Sequence, residues 1–102
     1  MKIYNVIISD AADADLMYLA LFLRKVMSVE GAWKYHQNML YEVNSLSILA
    51  DIYSPSRYAD IRRYHPKARR MVSHNKRWVY IFHIENDSVV VDRILPSKLI
   101  TK

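Results

Sequence analysis

Two apolar runs near the C-terminus, separated by a short polar cluster, constrain the fold of this chain more than any other feature. The stretch from Arg77 to Leu95 reads RWVYIFHIENDSVVVDRIL. Both runs are rich in β-branched and aromatic residues, and Glu85 to Ser88 between them favour a turn, so the stretch predicts a β-hairpin. Because both surfaces of this hairpin are mostly apolar, we expect it near the middle of a sheet, with helices on at least one face.

The register of the hairpin decides which side chains share a face. Pairing Ile84 with Val89 predicts three further opposite pairs: Phe82 with Val91, Tyr80 with Arg93, and Trp78 with Leu95. Arg93 is the one cationic side chain within the second strand. An arginine in such a setting needs a partner, which either the protein or a ligand supplies.

The first half of the chain predicts one strand and two helices. Residues 2–8 predict the strand, and Ser9 or Asp10 can cap a helix that runs to about Met27. Ser28 can cap a second helix, and the short connection predicts an antiparallel helical hairpin. Apolar stripes at helical spacing support both helices: Leu16, Leu19, Ala20, Leu23 and Met27 in the first, and Ala32, Trp33, His36, Leu40, Val43 and Leu46 in the second. We expect Trp33 and Trp78 in the core.

The middle of the chain leads into the hairpin. Ser54-Pro55 is a suitable start for a short third helix, and Pro66 would end any helix that reaches it. Residues 69–73 predict a strand that turns at residues 74–76. The predicted order is therefore β-α-α-β-β-β, an α+β fold in which an N-terminal strand and a helical hairpin precede an antiparallel β-meander. A chain of 102 residues fits one domain, residues 1–102.

Charge is distributed unevenly between the two halves. Residues 1–56 contain four Lys/Arg and six Asp/Glu, a net of −2, whereas residues 57–102 contain eleven and four, a net of +7; together they give the total of +5. A cationic second half predicts an anionic partner: RNA, DNA, the ribosome or an acidic protein segment. The alternative is a solvated basic surface with no specific partner.

Composition excludes several kinds of site. The chain has no cysteine, so it can form neither a disulfide nor a thiolate metal site, and its four histidines lack metal-ligand spacing. The single glycine, Gly31, excludes a glycine-rich phosphate loop. We therefore expect no metal and no cofactor. Because no stretch reads as a signal peptide or a membrane span, we expect a soluble, cytoplasmic protein without membrane contact.

Several weak motifs follow one another along nearly the whole chain. They are the opening Tyr4-x-Val6-x-x-Ser9-x-x-Ala12-x-x-Asp15-Leu16, the second-helix residues Ala32, Tyr35, Leu40, Val43 and Leu46, the strands RRMV at 69–72 and WVYIFHI at 78–84, and the closing VVVDRIL at 89–95. Their order and spacing resemble the RelE/ParE superfamily of bacterial toxins from type II toxin–antitoxin systems, which include plasmid stabilisation systems. No single motif is specific on its own.

The resemblance implies a toxin that is held inactive by a cognate antitoxin. The antitoxin would wrap the toxin with a helix or an extended segment, covering apolar grooves and neutralising cationic ones in a toxin–antitoxin hetero-oligomer. Two activities occur in the superfamily. RelE-type members cut messenger RNA in the ribosome, whereas ParE-type members poison DNA gyrase without known hydrolytic chemistry of their own.

The residues favour the ParE-like activity. RNA cleavage without a metal requires groups that stabilise the phosphate charge and move protons. Val79 stands where RelE-type members usually carry an arginine, and the tail after Leu95 contains neither Tyr nor His. If the chain is nevertheless a RelE-type, ribosome-dependent endoribonuclease, the catalytic candidates are His74, His83 and Arg93.

We therefore predict a ParE-like toxin that inhibits growth by binding an essential target such as DNA gyrase. The candidate target-binding residues are Arg69, Arg70, Lys76, Arg77, Arg93 and Lys98. Each has an alternative role; Arg93, for example, can pair with an internal carboxylate. The alternative functions are the endoribonuclease acting on messenger RNA in the ribosome and a degenerate, non-toxic basic binding module.

Overall fold

A computed structural model describes residues 2–100 of the chain. The strands and α-helices are, in chain order, β1 (Asn5–Ile8), α1 (Asp10–Val26), α2 (Val29–Leu49), α3 (Ala59–Arg62), β2 (Arg69–Val72), β3 (Trp78–Glu85) and β4 (Ser88–Pro96). Short 3₁₀ turns follow α2 at Ala50–Ile52 and β4 at Ser97–Leu99. The predicted α+β order is confirmed, with α3 as one additional turn of helix before the meander.

The four strands form one mixed sheet. Their order is β1-β4-β3-β2; β1 runs parallel to β4, and the other two pairs are antiparallel. The β3–β4 hairpin therefore occupies the two central positions, as predicted, and the meander is confirmed. The parallel pairing of β1 becomes possible because the helical hairpin returns the chain across the sheet before β2 begins.

The predicted hairpin register is correct next to the turn and wrong farther from it. The first two predicted pairs are observed: Ile84 with Val89, and Phe82 with Val91. A β-bulge then inserts Asp92 into β4 and displaces every later partner by one position. The two remaining predictions, Arg93 opposite Tyr80 and Leu95 opposite Trp78, are therefore wrong. The observed pairs there are Ile81 with Arg93, Tyr80 with Ile94, Val79 with Leu95, and Trp78 with Pro96.

The helical hairpin covers one face of the sheet, which we call the helical face. Its core consists of Tyr4, Ala12, Leu16, Leu19, Leu23, Ala32, Met39, Val43, Leu46, Ala50, Met71, Tyr80, Phe82, Val89, Val91 and Ile94. Both predicted caps are observed. The Ser9 hydroxyl accepts from the Ala12 N–H at 3.1 Å and the Ser28 hydroxyl from the Gly31 N–H at 3.0 Å, so two orphan helix donors are satisfied.

A short segment covers the other face, which we call the α3 face. Its core consists of Ile61, Ala68, Val79, Ile81 and Leu95. The prediction that the third helix starts at Ser54-Pro55 is wrong, since α3 begins at Ala59. The Ser56 N–H is bonded to the Ala68 carbonyl at 2.8 Å, and the Ser56 hydroxyl accepts from the Tyr58 N–H. These bonds hold the segment before α3 out of helical geometry.

The two tryptophans differ in environment. Trp78 is half-buried and its indole N–H donates to the Tyr35 hydroxyl at 2.8 Å. Trp33 is 62% exposed, so the prediction of a core position for it is wrong. The buried residues of α2 are Ala32, Val43 and Leu46 of the predicted stripe, together with Met39. Neither long helix within residues 2–100 combines the length and apolar character that a bilayer crossing requires.

Candidate functional site

Three of the predicted target-binding residues meet at one end of the sheet. Lys76 and Arg77 lie in the β2–β3 turn, and Lys98 lies in the 3₁₀ turn after β4; all three are exposed. Ser97 joins the two turns: its N–H donates to the Arg77 carbonyl at 2.8 Å and its hydroxyl donates to the Lys76 carbonyl at 2.7 Å. We call Lys76, Arg77 and Lys98 the basic turn cluster.

Asn75 holds the conformation of the β2–β3 turn. Its side-chain oxygen accepts from the Ser73 hydroxyl at 2.7 Å and from the Arg77 N–H at 3.0 Å, and its amide donates to the Tyr35 hydroxyl at 2.9 Å. The next residue, Lys76, has a φ of 64°, the left-handed conformation that tight turns require. The cations of this turn therefore project from a backbone fixed to α2, which lowers the conformational entropy lost on binding.

Glu42 of α2 provides a second attachment for the same turn. One carboxylate oxygen accepts from the His74 N–H at 2.6 Å and the other accepts from the Tyr80 hydroxyl at 2.7 Å. Burial raises the pKa of Tyr80 above its ordinary value, and the bond to the Glu42 carboxylate raises it further. Tyr80 therefore remains a neutral donor, and α2, β3 and the turn are bonded through one carboxylate.

Arg93 finds its partner inside the protein. Its Nε and Nη2 donate to the two oxygens of Asp15 at 2.8 and 3.0 Å, and Asp15 also accepts from the Ile94 N–H at 2.9 Å. The hydrogen bond to Asp15 raises the pKa of Arg93, against the opposing effect of partial burial. The guanidinium carbon also lies 5.7 Å from the centre of the Tyr64 ring. The internal alternative for Arg93 is thus the one observed, although its side chain stays 33% exposed.

Arg69 and Arg70 lie on different faces of β2. Arg69 is opposite Phe82 and donates to the Tyr53 carbonyl at 2.7 Å, whereas Arg70 is opposite Ile81. The Arg70 guanidinium lies 5.6 Å from the centre of the Tyr58 ring. Both arginines pair with residues far along β3 from the basic turn cluster, so the structure does not bring all six predicted target-binding residues together.

The three endoribonuclease candidates do not form one cluster. His74 is exposed in the β2–β3 turn, whereas His83 is 6% exposed near the far end of β3. Five residues of strand from Trp78 to His83 alone span roughly 17 Å at 3.3 Å per residue. Arg93 is engaged by Asp15, as described above.

A buried histidine cluster on the α3 face was not predicted from the sequence. His83 Nδ1 lies 2.8 Å from Asp92 and Nε2 lies 3.4 Å from Glu85, while the ring stacks on His65 at 3.7 Å. His83 and Asp92 do fall on one predicted surface of the hairpin, but nothing in the sequence indicates that His65 returns over them. Within residues 2–100, no group of three or more His, Asp or Glu side chains is arranged to hold a metal ion.

The outer surface of the helical hairpin is apolar. Seven large side chains on it are between 57% and 75% exposed: Met17, Tyr18, Leu21, Phe22, Val26, Val29 and Trp33. A groove of about 240 Å³ runs between α1 and the end of β4, lined by Tyr18, Phe22, Trp78 and Pro96 among others. The sequence contained a signal for this apolar surface. Two apolar pairs, Met17 with Leu21 and Tyr18 with Phe22, are spaced i,i+4 beside the buried stripe.

Comparison with known proteins supports the fold. No protein-family model and no curated protein sequence matches this chain. A chain of the solved structure described as "Chromosomal ParDE TA system from P. aeruginosa" is similar to it, with a TM-score of 0.77 and 17% sequence identity. The similarity covers 92% of this chain and 96% of that chain. It confirms the expected RelE/ParE-like fold; at this identity it establishes the fold alone.

Proposed function

We propose that this chain is the ParE-like toxin of a type II toxin–antitoxin system. In this proposal it arrests growth in the cytoplasm by binding an essential target such as DNA gyrase, and a cognate antitoxin neutralises it. The observation that carries the proposal is the fold similarity to a chain of a ParDE system, which extends over nearly the full length of both chains. We infer that residues 1–102 act as one toxin domain.

The basic turn cluster is the proposed target-binding surface. Lys76, Arg77 and Lys98 are exposed and their backbones are tied together by Ser97. Fixed cations attract an acidic surface from a distance and fix its orientation on contact. Arg69, Arg70 and Arg93 contribute less in this proposal, because each is half-buried and has a contact within the protein.

The outer surface of the helical hairpin is the proposed antitoxin-binding surface. Its exposed side chains include Tyr18, Phe22 and Trp33, aromatic residues of the kind that anchor protein interfaces. An amphipathic helix of the antitoxin could bury them by laying its apolar face along α1 and α2. The toxin–antitoxin pair is then a hetero-oligomer in which the groove beside Pro96 is also covered.

The arrangement of the histidines supports binding over RNA cleavage. Both ring nitrogens of His83 face carboxylates and its ring lies under His65, so a substrate hydroxyl has no approach to it. His74 is exposed, and Glu42, whose carboxylate accepts from the His74 backbone N–H, is also bonded to Tyr80. His83 is therefore not placed to take a proton from a substrate hydroxyl, a step that RNA cleavage requires.

Induced expression in bacteria without any antitoxin tests this proposal, with RNA ends and DNA breaks mapped after induction. Growth arrest with intact messenger RNA and accumulating DNA breaks supports the gyrase-binding toxin. Arrest with new codon-linked cuts in messenger RNA contradicts it in favour of the ribosome-dependent endoribonuclease. A matched culture that expresses Phe82→Ala, a core variant expected to be poorly folded, controls for the burden of expression itself.

A further inference from the structure

The charge of the second half is concentrated in one short segment. Residues 57–70 contain six Lys/Arg and one Asp/Glu, a net of +5, which equals the formal charge of the whole chain. This segment includes α3 and the loops on either side of it. Apart from Arg69 and Arg70, its cations belong to neither of the surfaces proposed above.

The segment is fixed to the sheet by its apolar residues, and Arg69, which is opposite Phe82, is the one cation of the segment on the helical face. Ile61 and Ala68 are fully buried in the core of the α3 face. Four cations of the segment are exposed: Arg57, Arg62, Arg63 and Lys67. The ion pairs formed within residues 2–100 do not include any of these four.

Aromatic rings alternate with the cations along the segment. Arg70 lies 5.6 Å from the centre of the Tyr58 ring, and Arg63 and Arg93 lie 5.8 and 5.7 Å from the centre of the Tyr64 ring. Arg63, Tyr64 and Arg93 line a cleft of about 330 Å³. Asp60, the one acid of the segment, also lines this cleft and is already included in the net charge of +5.

We propose that the surface formed by Arg57, Arg62, Arg63, Lys67 and Arg70, together with Arg93, binds the sugar–phosphate backbone of a nucleic acid. Closely spaced cations without internal ion pairs can replace the counterions of a phosphate chain, which is the main source of sequence-independent affinity. Aromatic faces beside them can stack on exposed bases or riboses. Arg93 contributes although it is bonded to Asp15, because two of its nitrogens are engaged and its side chain stays 33% exposed.

The surface fits a nucleic acid better than an acidic protein because it has few apolar anchors. Within residues 57–70, Tyr58 at 41% is the one large hydrophobic side chain that is exposed, and Leu99, at 62%, lines the cleft beside Arg63 and Arg93. Protein interfaces depend on a desolvated core of aromatic and aliphatic residues, and such residues lie on the helical hairpin instead. The two surfaces are on opposite faces of the sheet, so a protein partner and a nucleic acid can be bound together.

The test is the affinity of the purified full-length chain for fluorescently labelled nucleic acids, measured by anisotropy between about 50 and 200 mM salt. The probes are an RNA strand, a DNA strand and a DNA duplex of one sequence. The variant R62Q/R63Q/K67Q removes three cations from the segment, and the control R24Q/K25Q/K34Q removes three exposed cations from the helical hairpin. Both variants have the same net charge, so a difference between them reports position.

We expect the segment variant to bind at least about tenfold more weakly. The slope of log K against log salt concentration should be smaller in magnitude by about two to three, because three phosphate contacts are lost. The control variant should stay close to the wild type. The preferred probe among the three then identifies the kind of nucleic acid.

Three results would overturn the proposal. The first is an equal loss in both variants, which would indicate net charge alone. The second is no binding to any probe at low salt. The third is competition by poly-glutamate as strong, per charge, as competition by the nucleic acid, which would indicate an acidic protein. If the triple variant unfolds at a lower temperature than the wild type, R57Q/K67Q replaces it, since both side chains are exposed. This binding assay is independent of toxicity, so either proposal can fail alone.

Discussion

The two faces of the sheet are covered in different ways. On the helical face, two long helices bury sixteen residues in one apolar cluster, whereas on the α3 face a single turn of helix and its loops bury five. Hydrophobic stabilisation scales with the apolar area removed from water. Most of the folding free energy therefore comes from the helical face, and the α3 segment contributes less to it.

The outer surfaces differ in the opposite sense. Beyond the core, the helical hairpin exposes large apolar side chains such as Phe22 and Trp33, whereas the α3 segment exposes cations such as Arg63 and Lys67. An exposed apolar patch is typical of a protein-binding surface, and a basic stripe is typical of an electrostatic one. One small sheet can thus support two chemically different surfaces because each face has its own cover.

The largest expected effect comes from deleting side chains in the two cores. Phe82 and Ile61 are both fully buried, Phe82 on the helical face and Ile61 on the α3 face. We expect Phe82→Ala to lower the free energy of unfolding by about 3–5 kcal/mol and Ile61→Ala by about 2–3 kcal/mol. Chemical denaturation measures both, and hydrogen exchange should show that the second change loosens mainly residues 57–68. Global loosening by Ile61→Ala would contradict the difference between the faces.

A smaller effect is expected where the two faces are joined. Asp15 of α1 holds Arg93, whose guanidinium lies over Tyr64 of the α3 face. Because Asp15 accepts three hydrogen bonds, Asp15→Ala should cost about 2–3 kcal/mol and Arg93→Gln less. A double-mutant cycle by denaturation should give a coupling of about 1 kcal/mol. A coupling near zero would mean that the pair does not join the faces.

The helix caps give a matched comparison with a still smaller effect. The Ser9 hydroxyl accepts from the Ala12 N–H and donates to the Asp92 carbonyl at 3.0 Å, whereas the Ser28 hydroxyl accepts from Gly31 alone. We expect Ser9→Ala to lower the free energy of unfolding by about 1–2 kcal/mol and Ser28→Ala by about 0.5–1 kcal/mol. Equal losses in thermal unfolding experiments would show that the bond to β4 adds nothing.

A further effect, seen at alkaline pH, concerns Tyr80 on the helical face. Burial first, and then the bond to Glu42, raise the pKa of Tyr80 above its ordinary value of 10.0. The folded state therefore retains the phenolic proton more strongly, so this contribution to stability is complete below about pH 10 and falls as the pH rises further. Tyr80→Phe should remove up to about 1.4 kcal/mol per pH unit of that alkaline loss. Identical alkaline profiles of the two proteins would contradict this assignment.

Much of the fold could be predicted because its signals are local. The central hairpin, both serine caps and the order of the elements follow from short patterns of apolar and polar residues. The bulge at Asp92 could not be predicted, since one inserted residue changes the register without changing the alternation that precedes it. The start of α3 was missed because the bond from Ser56 to Ala68, which holds the chain extended, connects residues twelve positions apart.

The sequence predicts that the candidate sites are cationic, but it does not predict which cations lie together. The excess of cations after residue 56 is visible in the sequence. Lys98 joins Lys76 and Arg77 because β4 returns beside the β2–β3 turn. His65 stacks on His83 because of the path of the loop after α3. Such contacts arise from tertiary packing, which periodicity does not encode.

Colony counts after induction without antitoxin test the proposal that this chain is a toxin that acts through its basic turn cluster. The strains express the wild type, K76Q/R77Q/K98Q, and the R24Q/K25Q/K34Q control of equal charge. We predict that the wild type and the control stop forming colonies while the turn variant, at matched expression, continues to grow. Normal colony formation by the wild type, or equal killing by all three proteins, would contradict the claim.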